Sequence, residues 1–148
     1  MIDIRNKLEG KVVSITGASG YIGSALSSTS VYGTQNDVVD EDCSDEELQP
    51  QSPYATTKLK EEELITTLCN EKGLKAIHCR FGTIFGASPG MRFHTAVNKF
   101  CWQAAMGKPI SVWSTAYDQK RPYLDLLDAS RSIEFIIRNN LFDGGIYN

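Results

Sequence analysis

Lys11-Val12-Val13-Ser14-Ile15-Thr16-Gly17-Ala18-Ser19-Gly20-Tyr21-Ile22-Gly23 is the most informative run of the chain. Lys11 to Thr16 is short, rich in β-branched residues and bounded by Gly10 and Gly17, which predicts a buried strand. Gly17, Gly20 and Gly23 follow in the order G-x-x-G-x-x-G. That spacing suits a tight turn, a close approach of backbone to a pyrophosphate, and a helix N-terminus with free N–H groups. A glycine-rich turn without a ligand has the same local spelling. The strand before it and Tyr21-Ile22-Gly23-Ser24-Ala25-Leu26 after it favour the phosphate-binding turn. The expected class is therefore α/β with a parallel sheet.

A second stretch carries the candidate chemistry. Ser52-Pro53 is a good N-cap followed by a good first helical residue. Tyr54 and Lys58 then stand four residues apart at the head of that helix and share one face. A phenol beside an ammonium is a way to make a proton-transfer group. The free phenol pKa is about 10, so working near pH 7 needs a drop of roughly 3 units, about 4 kcal/mol. A nearby Lys⁺ supplies part of that and a positively charged nicotinamide ring supplies more. A serine hydroxyl, such as one in Ser28-Thr29-Ser30-Val31-Tyr32-Gly33, then orients the substrate alcohol. The plain alternatives are a surface Tyr–Lys pair on a helix and a serine serving as a strand-end or cap hydroxyl.

The helix is expected to run to about Lys72, with Gly73 at C′. Leu64, Ile65, Leu68 and Cys69 are expected to form its buried face, and Glu61, Glu62 and Glu63 to face water. Ala76 to Phe81 reads as the next strand, and 87–90 as a loop. A helix is expected over about 92–106, with Phe93, Val97, Phe100 and Ala104 on one stripe, stopping at Gly107-Lys108-Pro109. Ile110 to Trp113 reads as a short strand, Asp128 as the cap of a helix to about Asn140, and Ile146 to Asn148 as the start of a further strand. Residues 34–53 carry seven acids and no base, which predicts a solvated loop. Asp37 lies about 20 residues past Gly17, where a ribose-binding acid is expected, but no strand precedes it. It is read as a loop residue. Asp40 to Asp45 lacks the sixth-position glycine of a calcium loop.

Composition narrows the classes. At 148 residues, 41% hydrophobic and 22% charged, the chain has the make-up of one globular domain. A net charge of −3 gives no basic field for nucleic acid or an anionic membrane. The four cysteines (Cys43, Cys69, Cys79, Cys101) form no C-x-x-C pair, which argues against zinc and for a reducing compartment. No apolar run has the length of a membrane span, so the cytoplasm is the expected location.

Together these motifs resemble the NAD-dependent epimerase/dehydratase family, the extended branch of the short-chain dehydrogenase/reductases. The resemblance rests on the glycine turn 17–23, on Ser27-Ser28-Thr29-Ser30-Val31-Tyr32-Gly33, and on the Tyr54/Lys58 pair. It also rests on Arg80-Phe81-Gly82-Thr83-Ile84-Phe85-Gly86 and Arg121-Pro122-Tyr123-Leu124-Asp125-Leu126. It implies a Rossmann-like domain over 1–148, with 87–128 contributing to the substrate region. By it, Gly17, Ser19, Gly20, Tyr21, Ile22 and Gly23 bind NAD, with NADP not excluded. Ser28 orients the substrate and Tyr54 is the acid/base. Lys58 holds the nicotinamide ribose. Thr83, Asn98 and Arg121 meet the nucleotide sugar, whose hydroxyl-bearing carbon exchanges hydride with nicotinamide. A plain surface ion-pair partner remains the alternative for Arg121. The family commonly dimerises through the helix at Tyr54 and its predecessor.

The chain also departs from the family pattern. Only Ser24, Ala25, Leu26 and Ser27 separate Gly23 from Ser28, whereas a parallel crossover needs a dozen or more residues. Two to three strand–helix units of about 30 residues each are therefore expected to be missing there. The family's Asn is Thr83 here, and its aspartate pair is reduced to Leu127-Asp128. The expectation is an incomplete Rossmann-like sheet, internally deleted and shortened at the C-terminus. A homodimer is in doubt, and a non-catalytic remnant or pairing fragment is the alternative function.

Overall fold

A computed structural model describes residues 27–33 and 39–148. The strand expected over 11–16, the glycine turn 17–23 and Asp37 lie outside the described residues. The rest is α/β: β1 (Ser27–Ser28), α1 (Pro53–Lys72), β2 (His78–Phe81), β3 (Thr83–Phe85), α2 (Ala96–Ala105), β4 (Tyr123–Asp125), α3 (Leu126–Asn139) and β5 (Ile146–Tyr147). Two all-parallel sheets form. One has the order β1-β2-β5 and the other joins β3 to β4. Each parallel neighbour is reached through a helical crossover, as parallel pairing requires.

Local chemistry sets α1. Ser52 Oγ accepts from the Ala55 N–H at 3.1 Å, Pro53 occupies the first turn, and Gly73 ends the helix in the left-handed region at φ 64°. Both ends fall where the sequence predicts. The buried face does not. Ala55, Lys58 and Glu62 point inward, Glu62 is 6% exposed, and Leu64 is 59% exposed. Ile65, Leu68 and Cys69 are half-buried. An ion pair has overridden the apolar stripe: Glu62 turns in to meet Arg80 on β2 at 2.7 Å.

Three other expectations need correction. Ile110–Trp113 is not a strand; Ile110 is 54% and Trp113 77% exposed. Instead, Gln103 Nε2 on α2 donates to Ser111 Oγ at 3.2 Å, so a side-chain amide serves where a strand partner would. α2 starts at Ala96 rather than Arg92, and its buried residues are Asn98 and Gln103, with Ala104 exposed. α3 starts directly after β4 and is capped by Asp125, whose carboxylate accepts from the Leu127 N–H at 2.8 Å. Asp128 is left in the first turn, paired with Arg131 at 3.0 Å.

Two glycines are needed where they stand. A Cβ on Gly82, the link from β2 to β3, would lie 2.8 Å from the Pro122 carbonyl oxygen and force β4 away. Gly33 has φ 73° and ψ −146°, a region open essentially to glycine alone, and its Cβ would strike the Gln49 carbonyl oxygen. Gly33→Ala is expected to lower stability by about 2–3 kcal/mol. The check is a lower urea midpoint at an unchanged slope; an unchanged midpoint would refute the strain.

Candidate active site

β1 ends at Ser28, which caps the 3-10 helix Thr29–Tyr32: its Oγ accepts from the Ser30 N–H at 3.2 Å and from the Ser30 hydroxyl at 2.9 Å. Both contacts use acceptor capacity, so the Ser28 proton is not used in either of them. β1 lies parallel to β2, with Ser28 opposite Phe81, and α1 packs on β1 and on the 3-10 helix.

Tyr54 and Lys58 are where the helical spacing predicts, on adjacent turns of α1. Tyr54 is 58% exposed, so its hydroxyl is open to a ligand. Lys58 is buried, and its Nζ lies 5.9 Å from the Tyr54 ring centroid, at the outer edge of cation–π range. Glu61 takes one of its three N–H donors at 2.9 Å. The pair is therefore a phenol facing solvent with an ammonium beneath it.

The three residues expected near substrate gather about the second sheet. Thr83 opens β3, donates its N–H to the Pro122 carbonyl at 2.9 Å and pairs with Tyr123 of β4. Arg121 is exposed just before β4, its Nη2 3.4 Å from Gln119 Oε1. Asn98 is buried and already engaged: Oδ1 accepts from the Gly86 N–H at 3.1 Å and Nδ2 donates to the Arg92 carbonyl at 3.2 Å. In this conformation Asn98 ties the end of β3 to the lead-in of α2.

A buried polar cluster that the sequence reading missed lies behind Tyr54 and Lys58. Arg80 on β2 is 2% exposed. Its Nε and Nη2 donate to the two Glu62 carboxylate oxygens at 3.1 and 2.7 Å, and its Nη1 donates to Tyr32 Oη at 2.9 Å. Burial presses its pKa down, but the hydrogen bonds with Glu62 and Tyr32 outweigh this and hold it above the ordinary arginine value. The signal was available: Glu62 follows Lys58 by four residues and Tyr54 by eight, so all three share a helical face. An arginine inside a strand also demands a partner.

His78, two residues before Arg80, is buried with its Nε2 3.3 Å from Thr66 Oγ1. Desolvation lowers its pKa, Arg80 adds to the effect, and Glu62 opposes it. The unfolded chain then binds a proton at pH values where the folded chain refuses it. Stability is thus expected to fall as pH drops below the ordinary histidine value of 6.5. Urea midpoints at pH 8 and 5.5 should differ in that sense, and His78→Gln should flatten this part of the profile. A His78→Gln profile as steep as the parent's would assign the slope to other groups.

Among the described residues no helix is long and apolar enough to cross a membrane, and no group of three or more His, Cys, Asp or Glu is placed to hold a metal.

Comparison with known proteins bears on the family and the fold. The model of the NAD-dependent epimerase/dehydratase family matches residues 25–148. A chloroplastic UDP-sulfoquinovose synthase from Spinacia oleracea is 30% identical over 106 residues, 62% of this chain and 22% of that protein. An uncharacterized UDP-glucose epimerase from Bacillus subtilis (strain 168) is 30% identical over 113 residues, 75% of this chain and 33% of that protein. Among solved structures, UDP-glucuronic acid 4-epimerase from Bacillus cereus, in complex with NAD, superposes with a TM-score of 0.70 at 25% identity, covering 83% of this chain and 39% of that one. The chain thus spans from about a fifth to two-fifths of these proteins' lengths. With the family model matched over most of its residues and the same parallel α/β fold in the solved relative, the chain belongs to the NAD-dependent epimerase/dehydratase family.

Proposed function

We propose that this chain carries the proton-transfer half of an NAD-dependent nucleotide-sugar epimerase or dehydratase. The observation that carries the reading is the solvent-facing Tyr54 phenol with the buried Lys58 ammonium beneath it, on the helix that packs against Ser28's strand. Relatives whose names specify UDP-sugars, and a solved neighbour in complex with NAD, support the substrate class and the cofactor.

The residues present suit that cofactor. Lys58 has donors left after its bond to Glu61 and would hold the ribose hydroxyls, while Gly17, Ser19, Gly20, Tyr21, Ile22 and Gly23 would receive the pyrophosphate. NAD, when bound, supplies the hydride acceptor. Tyr54 Oη takes the proton of the sugar hydroxyl. Ser28 Oγ donates a hydrogen bond to the same sugar oxygen and fixes its direction. Arg121, exposed ahead of β4, would meet the substrate diphosphate, with Thr83 and Asn98 around the sugar or its base. The test is a titration of the purified chain with NADH, following nicotinamide fluorescence, and then an assay with UDP-glucose or UDP-glucuronic acid. Saturable binding and turnover are expected; no saturable change would remove the enzyme reading.

A second reading is a pairing fragment without turnover of its own. The observation favouring it is the number of large apolar side chains left exposed among the described residues, with Phe135 at 60%, Met106 at 60% and Trp113 at 77%. Such surface favours association. Sedimentation showing a monomer at all concentrations would speak against it.

A further inference from the structure

We propose that Arg80 is a positioning residue that holds the Ser28 segment against the helix carrying Tyr54 and Lys58. The inference rests on the catalytic reading of those three residues. Three elements converge on one guanidinium. Glu62 brings α1, on the same face as Tyr54 and Lys58, through two hydrogen bonds at 3.1 and 2.7 Å. Tyr32 brings the 3-10 helix that Ser28 caps, through its hydroxyl at 2.9 Å. Arg80 itself sits on β2 directly opposite Ser27, one residue from Ser28's own partner. Tyr32 Oη in turn donates a hydrogen bond to Asn148 Oδ1 at 2.9 Å, so its hydroxyl is held from both sides.

A buried ion pair adds little net stability over apolar residues of the same shape. What the rigid guanidinium fork adds is direction, because it binds the carboxylate in a bidentate manner and points a third donor at Tyr32. Neither a lysine nor an apolar side chain reproduces all three bonds. An error of about 1 Å between a hydrogen-bonding group and the reacting atom costs on the order of 100-fold in rate.

The experiment compares Tyr32→Phe, Arg80→Lys and the Arg80→Met/Glu62→Leu double variant with the parent chain. Amide hydrogen exchange is followed by NMR without ligand, and kinetics are then run with NAD and UDP-glucose. Tyr32→Phe removes one hydroxyl and keeps the Arg80–Glu62 pair, so it tests the anchor without stranding a charge. The expected result is that the Ser30 and Gly33 amides exchange at least about tenfold faster while amides in the middle of α1 stay within roughly twofold. Arg80→Lys is expected to behave alike. In an active chain, kcat should fall by about 10–100-fold with KM within threefold. Equal acceleration along the whole chain, or none at Ser30 and Gly33, overturns the anchor, as does an unchanged kcat in an active chain. If the parent shows no turnover, the catalytic reading fails while the exchange result still decides whether Arg80 holds the segment.

Discussion

Tyr54→Phe is expected to lower turnover by about 10²–10⁴-fold while leaving NADH affinity within roughly threefold of the parent. The phenol is the exposed group at the head of α1, and deleting its oxygen removes the proton acceptor without altering the ring that sits over Lys58. The expected loss is the usual contribution of a positioned general acid or base. Because the ring is kept and the residue is on the surface, folding should be unaffected, and thermal scans of the two proteins should coincide. The measurement is kcat with a UDP-sugar alongside a fluorescence titration with NADH. A variant that keeps more than about a tenth of the parent's turnover would show that another group moves the proton. A variant that loses NADH binding as well would show that Tyr54 serves the cofactor site rather than the chemical step.

Arg80→Met should be the most destabilising single change in the described part of the chain, at about 3–5 kcal/mol. It leaves the Glu62 carboxylate buried without its partner and takes a hydrogen bond from Tyr32. At this chain length a loss of that size corresponds to a fall in Tm of roughly 10 °C or more. The comparison that isolates the cause is Arg80→Met/Glu62→Leu. Removing both charges removes the stranded carboxylate, so the double variant should recover most of the lost stability. If it is no more stable than Arg80→Met alone, the loss comes from packing around β2 and not from the unpaired charge. The urea slope should be similar in all three, since the fold exposes the same surface on unfolding.

The polar interior explains why this pair carries so much. Among the described residues, seven polar or charged side chains are buried against six apolar ones. Arg80 and Val31 are the largest of those fully enclosed. Interiors of this kind depend on satisfied hydrogen bonds, and removing one partner costs more than the bond contributes. Hence the sensitivity is expected at Arg80, Glu62 and Tyr32, and not at Leu64, which faces solvent.

Where local chemistry is strong, sequence and fold agree. The cap at Ser52, the proline after it and the glycine at 73 fixed both ends of α1, because capping bonds and left-handed backbone are properties of a few adjacent residues. The four-residue spacing of Tyr54 and Lys58 placed them on neighbouring turns by helix geometry alone. The same local logic placed β2 to within two residues and found β5.

The rest was decided between segments. Whether Ile110–Trp113 becomes a strand depends on a free edge to pair with, and α2 offered Gln103 instead. Which face of α1 is buried depends on a residue 18 positions away, since Glu62 and Arg80 find each other only after β2 is laid beside β1. The residues alone therefore determined the family, the helix carrying the phenol and ammonium, and the α/β class. Tertiary structure alone decided that a glutamate and not a leucine points inward, and that one arginine ties the serine segment to that helix. The physical reason is that caps and helical spacing act over one or two turns, whereas a buried charge takes its position from a partner that only folding brings into reach.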